Sequence, residues 1–157
     1  MIRVLCVCLG NICRSPTAQG VLRDLAAREA PDLRIEVDSA GTGAYHIGYP
    51  PDPRSRRAAL ARGVDIGDLR ARQIALEDFT HFDFLLAMDA ANLRDLQALR
   101  PAGATAQLRL IMHYAPQLGR LDVPDPYYGD AQAFETVLDL VTAASRGFIA
   151  ELAATGG

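Results

Sequence analysis

The sequence has no lysine and no tryptophan; all 16 of its basic residues are arginine. The missing lysine excludes one large class of phosphate-handling proteins. The glycine-rich loop of Walker-type nucleotide-binding proteins needs a lysine to reach the terminal phosphates. Cysteine is scarce too: Cys6, Cys8 and Cys13 are the only three, all near the start of the chain. An odd number crowded at one end does not suit a secreted disulfide framework. There is no fourth cysteine, and His46, His81 and His113 are scattered without ligand spacing, so structural zinc patterns are not matched. No window approaches the ~20 apolar residues of a membrane span, and the N-terminal apolar stretch is too short for a secretory signal. Positive charge is not in excess either. A net charge of −3 argues against a nucleic-acid partner. The expectation is a cytoplasmic protein with no nucleic-acid and no membrane partner.

What is present is an ordinary globular balance: 157 residues, 50% hydrophobic and 22% charged, enough for one domain over 1–157 with its own core. Residues 2–8, IRVLCVC, are continuously apolar apart from Arg3 and predict a buried strand. Residues 15–29 predict a helix, with Ser15 as N-cap, Pro16 at its first turn and Val21, Leu22 and Leu25 at helical spacing. A second strand is expected over 33–41, then a Gly-, Pro- and Tyr-rich loop over 42–52. Asp52 and Pro53 open a helix that ends before Gly63. Strands at 82–89 and 107–112, helices at 90–100 and 131–153, and a long loop over 113–130 complete the pattern. The alternation predicts an α/β fold: one doubly wound, four-stranded parallel sheet with helices on both faces. Ligands of such sheets sit at the carboxyl ends of the strands, near the switch point. The stretch CLGNICRS, Cys8 to Ser15, falls there.

That stretch admits three readings: a thiol clip or metal site, an oxyanion-binding loop, or a plain turn. Backbone amides curled between a strand and a helix make an anion nest, and Gly10 and Asn11 tolerate the left-handed conformations it needs. The following helix points its positive end at the loop. Arg14 supplies a planar fork matched to two phosphate oxygens. The same field stabilises a sulfur anion at Cys8, so one short segment carries an anion cradle and a nucleophile aimed at it.

The full string VLCVCLGNICRSPTAQG resembles the low-molecular-weight protein tyrosine phosphatases. The segments DSAGTGAYHIGYPPDPRS (38–55), ARQI (71–74), FDFLLAMDAANLRDL (82–96) and VPDPYYG (123–129) resemble the same family in the same order. The resemblance implies a metal-independent, cofactor-free phosphotyrosine phosphatase with a phosphocysteine intermediate. Cys8 would be the nucleophile, Arg14 the phosphate clamp and Asp125 the general acid, then base. Leu9, Gly10, Asn11, Ile12, Cys13, Arg14 and Ser15 would form the phosphate loop. Ser15 would hydrogen-bond the sulfur, and Asn11 with Ser39 would hold the curl.

Tyr45 and Tyr127 would flank the substrate ring, with Tyr128 beside them. His46, beside Tyr45, has two readings, a substrate contact and a solvated loop residue. Cys6 reads as core. Cys13 would form a reversible disulfide with Cys8 that protects it from over-oxidation. Many relatives carry histidine at the position of Leu69, so the Asn11 network is expected to rest on Ser39 alone. Its partner would be a tyrosine-phosphorylated protein, with a bacterial tyrosine kinase as one candidate, and a monomer is the default.

Three rivals remain at this point. A protein arginine phosphatase carries threonine where this loop has Ile12. An arsenate reductase needs later cysteines, and none follows Cys13. An inactive phosphopeptide-binding module would lack a part needed for turnover.

Overall fold

The structure is a computed structural model and describes residues 1–156. Four strands form one parallel sheet: β1 (Ile2–Cys8), β2 (Ile35–Gly41), β3 (Phe84–Ala87) and β4 (Gln107–Leu110), in the order β2-β1-β3-β4. The helices are α1 (Arg14–Glu29), α2 (Pro53–Ala61), α3 (Asp78–His81), α4 (Ala90–Leu99) and α5 (Ala131–Ala154). β1 pairs with β2 on one side and β3 on the other, so winding reverses at β1. Cys8 therefore ends its strand at the switch point, where a crevice opens in folds of this kind.

β1 is apolar apart from Arg3 because helices cover both of its faces. Val4, Cys6 and Cys8 share a core with Leu22 of α1 and Phe148 of α5. Leu5 and Val7 point the other way, to Phe79, Phe82 and Leu96. Phe148 anchors the first core through edge-to-face contacts with Phe84 and Tyr114, centroids 5.1 and 4.9 Å apart.

Several boundaries differ from the sequence expectation. α1 begins at Arg14 with Cys13 in the cap position, and no side chain caps it. Ser15 does not cap because its hydroxyl is engaged with Cys8 and Asn11. Pro16 sits in the first turn, where its missing N–H removes no helical bond. β2 starts at Ile35, and β3 is shorter than expected at both ends. β4 stops at Leu110, and Ile111–Tyr114 and Pro116–Leu118 form 3₁₀ turns inside the region expected to be strand end and loop. α3 lies in a stretch without clear periodicity. α2 starts as expected: the Asp52 carboxylate caps it by accepting from Arg54 N–H at 2.9 Å, with Pro53 at its first position. Among the described residues, no helix is long and apolar enough to cross a membrane.

Candidate active site

The segment between β1 and α1 curls because its carbonyls are tied to the outside. The carbonyls of Cys8 and Leu9 accept from Thr42 and Gly43 N–H at 2.9 Å each. The Ile12 carbonyl accepts from Asp52 N–H at 2.8 Å, and that of Cys13 from Thr17 Oγ1 at 2.7 Å. In a trans peptide, N–H and C=O point in opposite directions. The amides of Leu9, Gly10, Cys13 and Arg14 thus face inward, as a nest for an anion.

Two backbone details permit the curl. Asn11 holds the left-handed conformation, φ 57°, the only non-glycine with positive φ among the described residues. Gly10 does not need that freedom; it makes room for the His46 ring, whose Cδ2 would lie 3.0 Å from a Cβ there. At Gly41 a Cβ would stand 2.6 Å from the Leu9 carbonyl oxygen, so only glycine lets β2 pass beside the loop.

A buried polar chain runs behind the loop. Arg72 N–H can only donate, and it reaches Asn11 Oδ1 at 3.0 Å, which fixes the Asn11 amide. Asn11 Nδ2 then donates to Ser15 Oγ at 2.7 Å and Ser39 Oγ at 2.9 Å. At the other end Gln19 Nε2 donates to the Val37 carbonyl, so Gln19 Oε1 accepts from Ser39 Oγ at 2.6 Å. Ser15 Oγ, which accepts from Asn11, also lies within hydrogen-bond distance of Cys8 Sγ, 3.0 Å away. Asn11 N–H also donates to that sulfur at 3.3 Å. The Cys8 sulfur thus has two polar partners, the Ser15 hydroxyl and the Asn11 N–H.

Asn11 therefore has three partners, Ser15, Ser39 and Arg72, and does not rest on Ser39 alone. Leu69 is half-buried and packs against the core instead of entering this network.

Arg14 is 4% exposed. Its Nη1 donates to Asp89 Oδ2 at 2.6 Å and to the Val123 carbonyl at 3.1 Å. Burial works against the guanidinium charge, but the Asp89 hydrogen bond and the negative charge around it together outweigh that effect, leaving Arg14 above the ordinary arginine value. Asp125 Oδ2 lies 3.8 Å from Arg14 Nη2, its side chain half exposed at the rim. Burial pushes Cys13 up to about 12 and holds Cys6 well above an ordinary thiol. All three cysteines are free thiols.

Cys8, Arg14 and Asp125 line one cleft of about 350 Å³ together with Leu9, Gly10, Ile12 and Cys13. Tyr45, Tyr127 and Tyr128 form its walls and mouth, and Tyr127 and Tyr128 meet edge to face at 4.9 Å. Asn11, Ser15 and Ser39 sit behind the cleft, buried. His46 is half-buried over Gly10 and lines the cleft beside Tyr45. Among the described residues, no group of three or more His, Cys, Asp or Glu is arranged to hold a metal ion.

The loop at the end of β1 with its Cys8 sulfur, the Arg14 guanidinium and the Asp125 carboxylate meet in one cleft. The model of the family described as low molecular weight phosphotyrosine protein phosphatase matches residues 3–156. The chain belongs to that family. It is 38% identical to the low molecular weight protein-tyrosine-phosphatase YfkJ of Bacillus subtilis, over 97% of this chain and 96% of that one. A protein tyrosine phosphatase from Entamoeba histolytica, solved with Hepes in its active site, superposes at a TM-score of 0.93 with 32% identity, covering all of both chains. A Drosophila arginine phosphatase shares the fold at 0.89 and 28% identity, covering 96% of this chain and 97% of that one.

The sequence reading misses four contributors: Asp89, which holds Arg14; Arg72 and Gln19, which polarise the chain behind the loop; and Asp52, which ties it to α2. Of these, Asp52 alone was read from the sequence, and only as the start of a helix.

Proposed function

We propose that this protein is a phosphotyrosine phosphatase acting on proteins and small aryl phosphates through a phosphocysteine intermediate. The observation that carries it is Cys8 Sγ held by Ser15 and Asn11 at the floor of a cleft that also presents Arg14 and Asp125. The Cys8 sulfur attacks phosphorus, and the bond from phosphorus to the tyrosyl oxygen breaks. Asp125 gives its proton to that oxygen, where charge would otherwise build up. The inward amides and the Arg14 fork hold the equatorial oxygens throughout. Asp125, now a base, takes a proton from water as it attacks the phosphocysteine. Inorganic phosphate leaves, and the Ser15 hydroxyl steadies the departing sulfur. Tyr45 and Tyr127 take the aromatic ring, which favours a phosphate set a ring's length from the backbone.

Cys13 fits a protective role: peroxide would oxidise Cys8 to the sulfenic acid with loss of water, and the Cys13 thiol would condense with it, releasing a second water and leaving a disulfide.

The test is hydrolysis of p-nitrophenyl phosphate in the presence of a chelator. Turnover is expected, and Cys8→Ser is expected to abolish it. Survival of turnover in Cys8→Ser would overturn the reading. The apolar Ile12 in the loop wall favours tyrosine, so phosphotyrosine peptides are expected to be cleaved ahead of phosphoarginine peptides.

A further inference from the structure

The segment carrying Asp125 is thinly attached. Val123 and Pro126 are buried, but Pro124, Asp125 and residues 127–130 are exposed. The position of the Asp125 carboxylate is coupled to its neighbour, since Tyr127 N–H donates to Asp125 Oδ1 at 3.1 Å. Whatever holds Tyr127 therefore holds Asp125.

Arg54, in the first turn of α2, meets that need. Its guanidinium carbon lies 5.6 Å from the centre of the Tyr127 ring and 4.7 Å from that of Phe134, a buried residue of α5. The planar cation thus bridges the two rings. Its orientation is fixed by a two-pronged pair with Asp52: Nε donates to Oδ1 at 3.1 Å and Nη2 to Oδ2 at 2.9 Å. Asp52 is itself tied to the phosphate loop through its N–H and the Ile12 carbonyl, 2.8 Å apart. A continuous path runs from Ile12 through Asp52, Arg54 and Tyr127 to Asp125.

We infer that Arg54 is a positioning residue for the general acid, acting through the Tyr127 ring and setting the acid segment at a fixed distance from the phosphate loop. The inference rests on the proposed phosphatase mechanism. Arg54 does not line the cleft, so its effect must travel through Tyr127.

Proton donation matters most when the leaving group is a poor one. The measurement is kcat/KM for aryl phosphates from 2,4-dinitrophenyl to unsubstituted phenyl phosphate. Arg54→Gln is expected to lose about tenfold on phenyl phosphate and twofold or less on the dinitrophenyl ester, because a misplaced acid costs only reactions that need it. Arg57→Ala, an exposed neighbour on α2, is expected to track the wild type across the series. In a Tyr127→Ala background Arg54→Gln is expected to cost little more, since the route is already cut. Should Arg54→Gln fail to fold by thermal unfolding, Phe134→Leu removes the outer ring of the sandwich and is expected to steepen the same leaving-group dependence. An equal loss on every substrate, no loss at all, or independent effects of Arg54 and Tyr127 would overturn the inference. Wild-type turnover and its loss in Cys8→Ser test the underlying mechanism separately.

Discussion

Arg14 and Asp89 form a 2.6 Å charge-assisted pair, and the same Asp89 carboxylate caps α4 by accepting from Asn92 N–H at 2.7 Å. One side chain thus orients the Arg14 guanidinium and starts a helix. Asp89→Ala should lose both roles: about 3 kcal/mol of stability in urea unfolding, since it strands a buried guanidinium and removes a cap, and at least tenfold in kcat/KM. Asp89→Asn keeps a capping oxygen, so it should recover about 1 kcal/mol of stability without recovering the rate.

Asn11 combines a left-handed backbone with hydrogen bonds to Ser15, Ser39 and Arg72. Asn11→Ala and Asn11→Gly both remove the bonds, but only glycine relieves the backbone. Glycine should be the more stable variant by about 1 kcal/mol, with both much slower than wild type. Equal stability would mean that the backbone at this position carries no strain.

Asp52 gives a pH signature. The Arg54 hydrogen bond holds its carboxyl below the ordinary carboxylate range. Its contribution is therefore present above the unfolded value of about 3.9 and is lost as pH falls through the lower folded value. The penalty of Asp52→Asn should be largest near pH 6 and shrink below about pH 4, measured by urea unfolding of both proteins across that range.

With Cys13 pushed up to about 12, it stays a thiol at pH 7.5. Brief iodoacetamide treatment should label Cys8 and leave Cys13 and Cys6 untouched, as read by peptide mass mapping. After a peroxide pulse, dithiothreitol should restore wild-type activity but not that of Cys13→Ala.

Phe148 is buried against Phe84 and Tyr114 in the core shared by β1, α1 and α5. Phe148→Ala should cost about 4 kcal/mol, read as a shift of the urea midpoint at unchanged slope.

The sheet and its helices were legible because β1 is a short, almost continuously apolar run and α5 carries a strong helical periodicity. The loop from Cys8 to Ser15 was legible because glycine, asparagine and arginine at that spacing have few other uses. Asp89, Arg72 and Gln19 were not, because each acts through one atom on a partner distant in the chain, and no local pattern encodes such a meeting. Ser15 carried two readings, since its type suits a helix cap while the family resemblance gives its hydroxyl to the Cys8 sulfur; the structure places that hydroxyl against the sulfur and Asn11. His46 kept its two readings because nothing nearby in sequence announces the bare surface of Gly10.

The alternation along β1 makes catalysis a matter of parity. Val4, Cys6 and Cys8 face the α1 side of the sheet, and Leu5 and Val7 the other. Inserting or deleting one residue between Ile2 and Val7 has two outcomes. Either the strand slips, keeping Cys8 on its side while the core exchanges faces, or the core holds and Cys8 turns away from Ser15. The folding register and the aim of the sulfur are thus one constraint, and a stable protein with a frameshifted β1 should be an inactive one.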